Sequence, residues 1–167
     1  MLSLRQRLAR EEGFTLIELL VVLIIIGVLL AIAIPSYLGF QKSAQQTAAA
    51  SDVRSAIPDA EEYYQDNNQT FAGTTAMSAA YLKSQYDNGL SVSTGAAGSG
   101  PGIVSAKAST AADGTVAAAG QEYCISGYDS GQWAGVAGPG GAVATKLTAD
   151  PCTNWTKGVS VPGTAPF

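Results

Sequence analysis

The chain opens with a short polar and basic stretch, turns apolar at Phe14 and stays so for 21 residues, through Ile34. Glu18 is the one charged side chain in that run, and from Leu19 to Ile34 there is none. At about 1.5 Å per residue, a helix of this length just crosses a bilayer core of roughly 30 Å. A carboxylate near the end of such a helix is costly in lipid, so it needs a partner or a role. The pattern then changes. Over residues 36–66, Ala49, Val53, Ile57, Ala60 and Tyr64 recur at three- and four-residue steps, while Gln45, Asp52, Asp59 and Glu62 lie elsewhere on the wheel. That spacing predicts an amphipathic helix. Pro35 and Gly39 interrupt the passage between the two patterns, Gly27 weakens the apolar run, and Pro58 bends the second half. Proline removes a helical hydrogen bond and crowds the preceding turn, so a kink or locally melted stretch is expected near Ile34. Asn67-Asn68 marks the expected end. As one helix, residues 14–66 would be about 80 Å long. That is more than a domain made from the remaining 101 residues could cover.

Residues 67–167 read as loop, short helix and sheet. Residues 77–86 form a short helix or ordered connection that ends at the turn signal Asp87-Asn88-Gly89. β-like runs follow at 103–110, 115–119, 121–128 and 132–137, separated by turn residues. The clearest hairpin joins the last two through Asp129-Ser130-Gly131. The strand ending at Tyr128 is expected to lay alternate residues against the amphipathic helix. The glycine-rich stretches 95–102 and 138–141 read as surface loops.

Composition narrows the chemistry. Charged residues are 13 % of the chain, against about 25 % in ordinary globular proteins. Histidine is absent, which removes the commonest general base and transition-metal ligand. The glycine-rich segments lack a following Lys-Ser/Thr, so they are not phosphate loops. No enzyme, cofactor or metal is expected. The net charge of −4 argues against nucleic-acid binding by the bulk surface. Arg5, Arg7 and Arg10 flank the apolar run and favour a cytoplasmic N-terminus.

The run Gly13-Phe14-Thr15-Leu16-Ile17-Glu18-Leu19, with Gly27, Pro35 and Tyr37 further along, resembles the N-terminus of type IV prepilins and of the related type II secretion pseudopilins. The resemblance is specific over about the first 40 residues. It implies a leader, residues 1–13, cut by a prepilin peptidase between Gly13 and Phe14, with methylation of the new amine on Phe14. It also implies an α+β fold of the type IV pilin kind, with a long N-terminal helix packed on a small antiparallel sheet. Residues 14–35 would be the membrane-spanning and filament-core part, 36–66 the amphipathic part, and 67–167 a β-rich head with a C-terminal disulfide loop. The implied partners are further copies of the chain in a helical filament, the peptidase, the assembly platform, and the membrane before assembly. Cleavage would remove three arginines and two glutamates, leaving six basic and eleven acidic residues and a formal charge of −5.

Glu18 is expected to be an assembly residue. Cutting after Gly13 leaves a cationic amine on Phe14, and Glu18 of one subunit can meet that amine on its neighbour. A buried pair of this kind sets register more reliably than it adds stability, and a head-to-tail contact that does not close builds an open filament. Cys124 and Cys152 are the only cysteines, and in an exported chain they are expected to pair. Many pilins have a similar C-terminal loop. In the chain-entropy model such a bond contributes roughly 3.5 kcal/mol.

Blander readings stand beside these. An ordinary secretory signal would use the arginines and a small-x-small cut at Ala31-Ile32-Ala33, but it leaves Glu18 unexplained. Asp59, Glu61, Glu62 and Asp66 suit a solvated helix face better than calcium, because no EF-type spacing occurs. Tyr63, Tyr64, Phe71, Tyr81 and Tyr86 read as core packing rather than an adhesive surface. Asn68-Gln69-Thr70 and Asn154-Trp155-Thr156 match the glycosylation triplet, a pattern common by chance. The function expected is that of a pilin, located first in the inner membrane and then in a surface filament for adhesion, twitching motility or DNA uptake. The alternatives are a major pseudopilin of type II secretion and a minor tip pilin. The disulfide favours a pilin, since the major pseudopilin head usually lacks it.

Overall fold

The structure is a computed structural model that describes residues 13–93, 100–108 and 120–153. The leader residues 1–12, the expected run 115–119, most of the glycine-rich stretch 95–102 and the Asn154 triplet lie outside the described residues. Two compact units are present, one ending at Phe40 and the other starting at Gln41.

Helix α1 (Leu16–Asp66) is continuous through Gly27, Pro35, Gly39 and Pro58. In the first unit its large apolar side chains are all exposed, from 46 % at Ile26 to 88 % at Leu16. By length and composition this stretch can cross a membrane. Among its described residues, the first unit therefore has no core of its own.

The second unit has one. Its sheet is a meander of β1 (Gly102–Ala108), β2 (Tyr123–Asp129), β3 (Gln132–Gly138) and β4 (Ala144–Leu147), each antiparallel to its neighbour in the order β1-β2-β3-β4. The β2–β3 hairpin turns through Ser130 and Gly131, both with positive φ, 47° and 92°. Two such residues make the primed turn whose twist matches the strands. Gln46 donates to Gln132 at 2.9 Å, joining α1 to the start of β3.

The α1 face that meets the sheet is Ala49, Ala50, Val53, Ala56, Ala60 and Tyr63. This is rotated from the expected stripe, since Ile57 and Tyr64 are only half-buried. The reason is a close approach. A Cβ at Gly127 would lie 2.9 Å from the Ala49 carbonyl oxygen and 3.0 Å from Val53 Cγ2. Small side chains on the helix and a glycine on β2 let the two backbones come together, which the bulkier Ile57 would prevent.

Strand β2 is buried on both faces rather than on alternate residues. Tyr123 and Ile125 join the α1 core, whereas Cys124 packs with Ala137, Ala144 and Cys152. The second face is covered by the chain after β4, where Pro151 sits so close to Gly135 that a Cβ would approach its Cγ to 2.4 Å. Strand β4 has no counterpart among the sequence expectations.

Helix α2 (Ala79–Gln85) occupies the expected short helical segment. Ser78 caps it, its hydroxyl accepting from Tyr81 N at 3.2 Å. The aromatic residues read as core do pack there. Tyr63 and Phe71 are fully buried, with Tyr64, Tyr81 and Tyr86 half-buried against them. Tyr63 meets Tyr81 edge-on at 5.8 Å, and Phe71 meets Tyr123 at 4.7 Å. The Tyr63 hydroxyl donates to the Thr75 carbonyl and accepts from Gly73 N, strapping the chain after α1 to the helix.

Of the acidic group of α1, Glu62 and Asp66 lie on the exposed face as expected and Glu61 is half-buried, but Asp59 departs from it. Asp59 is 8 % exposed, on the buried side of the helix. The Glu61 carboxylate lies near the Tyr123 hydroxyl, and that of Asp66 near the Tyr86 hydroxyl. Burial and these neighbours push the Tyr86 hydroxyl up to about 12 and raise that of Tyr123 as well.

Candidate functional site

The residues singled out at the N-terminus come together at the start of α1. Thr15 is the N-cap. Its backbone N–H and its hydroxyl both donate to Glu18 Oε2 at 2.8 Å, and Glu18 N donates back to Thr15 Oγ1 at 3.3 Å. This is a capping box, in which the carboxylate three positions into the helix satisfies the N-cap amide and the cap side chain returns the favour. The negative charge also lies at the positive end of the helix dipole. Gly13, Phe14, Thr15 and Glu18 line one open cavity of about 350 Å³. Phe14 is 82 % exposed.

Thr15 is the residue that sequence reasoning missed. The signal was present as Thr-x-x-Glu immediately before an apolar run, a known capping pattern. Both bonds from Thr15 to the carboxylate fall on Oε2. A carboxylate offers about four lone-pair sites, so Glu18 can keep its cap and still accept from a cation beside it.

Gly27 and Gly39 have nothing within 4 Å of where a Cβ would stand. Among the described residues, nothing in the single chain therefore requires glycine at either position.

Cys124 and Cys152 form a disulfide with Cα atoms 5.7 Å apart. Asp150 supports it from the side. Its Oδ1 accepts from Cys152 N at 2.9 Å, and its Oδ2 accepts from Ser105 Oγ on β1 at 2.9 Å. Lys107 Nζ reaches the Thr153 carbonyl at 3.4 Å. At the other end of the sheet, burial raises the Asp52 carboxyl, with Asp129 in the hairpin adding to it. Among the described residues, no three of His, Cys, Asp and Glu gather closely enough to hold a metal ion.

Comparison with known proteins converges on the same end of the chain. Residues 8–34 match the prokaryotic N-terminal methylation motif. A fimbrial protein of Pseudomonas aeruginosa is 44 % identical over 91 residues, covering 54 % of this chain and 55 % of that protein. The type IV wide pilus major component of Thermus thermophilus is 40 % identical over 73 residues, covering 44 % and 56 %. The type II secretion system core protein G of Pectobacterium carotovorum is 38 % identical over 60 residues, covering 36 % and 38 %. The chain spans about half the length of the first of these relatives, and no solved structure matches it. By its N-terminal motif, these relatives and its α+β architecture, the chain is similar to the type IV pilins and type II secretion pseudopilins.

Proposed function

We propose that the chain is a pilin, a structural rather than catalytic subunit that polymerises into a type IV surface filament. One observation carries this reading. Residues 16–40 form an apolar helical segment with none of its side chains buried and a capped carboxylate, Glu18, in its first turn. So much exposed hydrocarbon has to be covered by lipid or by other copies of itself.

In this reading a prepilin peptidase cuts between Gly13 and Phe14, and the Phe14 amine is methylated but stays cationic. The segment 14–35 holds the subunit in the inner membrane, and the assembly platform then lifts it into the fibre. There Glu18 accepts the Phe14 ammonium of a neighbour on the side of its carboxylate not used by Thr15. Gly27, Pro35 and Gly39 are the positions where the helix bends or admits a neighbouring helix closely. The head, bearing the disulfide, forms the fibre's outer surface, which serves adhesion, twitching motility or DNA uptake.

A second reading, a pseudopilin of type II secretion, is favoured by the core protein G relatives, whose likeness runs over 60 residues. Shearing the cell surface separates the two. Mass spectrometry should find a chain starting at methylated Phe14, two mass units light for the disulfide, and negative stain should find it in long thin fibres. The same processed chain confined to the membrane fraction, without fibres, would transfer the assignment to the pseudopilin. A chain starting after Ala33 would refute both.

A further inference from the structure

Aromatic side chains of the first unit stand only at the two ends of its apolar run. Phe14 lies just ahead of α1, and Tyr37 and Phe40 close the unit. Between Phe14 and Tyr37 there is no aromatic residue, although that stretch is almost wholly apolar. Leucine, isoleucine, valine and alanine fill it instead. Tyr37 is 68 % exposed and Phe40 77 % exposed. Three residues apart on one helix, the two rings are neighbours on one face. Among the described residues, nothing in the single chain covers them. Directly after Phe40 the sequence turns polar, with Gln41, Lys42 and Ser43.

This spacing fits the two faces of a bilayer. Tyr37 follows Phe14 by 23 residues and Phe40 follows it by 26, about 35 and 39 Å at helical rise. A hydrocarbon core is about 30 Å thick, and a bilayer with its headgroups about 40–45 Å. With Phe14 at the inner boundary, the rings of Tyr37 and Phe40 fall in the outer headgroup layer. Either other place is costly. A phenyl ring in bulk water exposes apolar surface, and a tyrosine hydroxyl in hydrocarbon has nothing to bond. At headgroup level the rings meet the ends of the acyl chains, while the hydroxyl meets water and ester oxygens.

We propose that Tyr37 and Phe40 form an interfacial anchor, which binds the phospholipid headgroup layer and fixes the depth of the unassembled subunit. The inference rests on the reading of this segment as membrane-spanning before assembly, and not on what the filament does. The anchor also sets the level of the other end. Glu18 precedes Tyr37 by 19 residues, about 28 Å, so it comes to the inner edge of the hydrocarbon rather than its middle. There its carboxylate reaches interfacial water while Thr15 caps it, and its cost in lipid is smallest. In a fibre, other copies cover the same two rings. Assembly therefore exchanges a lipid contact for a protein one.

The test uses the full chain in phosphatidylcholine vesicles, where no fibre forms. Because Cys124 and Cys152 are paired, a nitroxide can be attached through Ala31→Cys or, separately, Ser43→Cys. Relaxation by oxygen and by a water-soluble nickel complex then reads each label's depth. The Ala31→Cys label should lie in hydrocarbon and the Ser43→Cys label in water. Tyr37→Leu with Phe40→Leu keeps the apolar surface but removes the preference for the interface, which lengthens the hydrocarbon-seeking stretch. The Ser43→Cys label should then sink by about 3–5 Å, the rise of two to three residues. Tyr37→Trp with Phe40→Trp should leave it in place. An unmoved label in the leucine pair overturns the anchor alone, as does an equal shift in the tryptophan pair. An Ala31→Cys label in water overturns the anchor together with the membrane-spanning reading.

Discussion

In the proposed filament, Glu18 would hold two tasks in sequence, and Thr15 shares the first. Inside the single chain the Glu18 carboxylate closes the first turn of α1 through Thr15. Thr15→Ala should cost about 1 kcal/mol at the helix start, read as faster amide exchange over residues 16–19 in micelles with the rest of α1 unchanged. Equal exchange in the variant would mean the cap is idle. Glu18→Ala is expected to leave cleavage after Gly13 intact, because the bond cut is five residues away, but to keep the mature chain out of fibres. Normal fibres from that variant would remove the assembly role. Gly127 carries a different constraint. The atom that would meet a new Cβ is the Ala49 carbonyl oxygen, part of a helix backbone that cannot swing aside. Gly127→Ala should therefore destabilise the second unit by about 1–3 kcal/mol, measured as a lower urea midpoint.

At the scale of elements, the sheet is clamped on one face by α1 and on the other by the chain after β4. The disulfide from Cys124 on β2 to Cys152 is the covalent tie, and the Asp150 carboxylate bridges the same segment to Ser105 on β1. Replacing both cysteines by serine should cost about 3–4 kcal/mol, the loop-entropy figure for a loop of this size, without unpairing β2 from β3. Asp150→Ala removes two hydrogen bonds to a charged group, worth about 1.5–3 kcal/mol each at most. Because both features hold one segment, their losses should couple rather than add. A double-variant cycle in urea checks this, and strict additivity would show that the two ties act independently.

At the scale of the whole molecule, the two units differ in what they lack. The first exposes apolar side chains along its length, whereas the second buries its own cluster from Ala49 to Val136. A version beginning at Gln41 should therefore be soluble without detergent, unfold cooperatively, retain the disulfide and fail to polymerise. Aggregation of that version from its native state would mean that the core of the second unit depends on residues before it.

Several elements were legible before any coordinates. An apolar run of bilayer length can be counted, a Ser-Gly turn between two alternating runs predicts a hairpin, and two cysteines in an exported chain leave one pairing. These signals are local, fixed by composition and by the period of a few successive residues. Strand β4 was not legible, because four residues, Ala144–Leu147, carry too short a pattern and owe their pairing to the edge of β3. Nor was the rotation of the buried helix face from Ile57 and Tyr64 toward Ala56 and Tyr63, which depends on a glycine some seventy residues further on. Residue types and their local spacing were enough to establish a membrane-length helix with a carboxylate at its head, a small antiparallel sheet and one disulfide. The packing of distant segments set which carboxylate of α1 would be buried, Asp59, and which would stay at the surface, Glu62 and Asp66. Burial of a charge is set by what distant segments bring against it, and no local period records that.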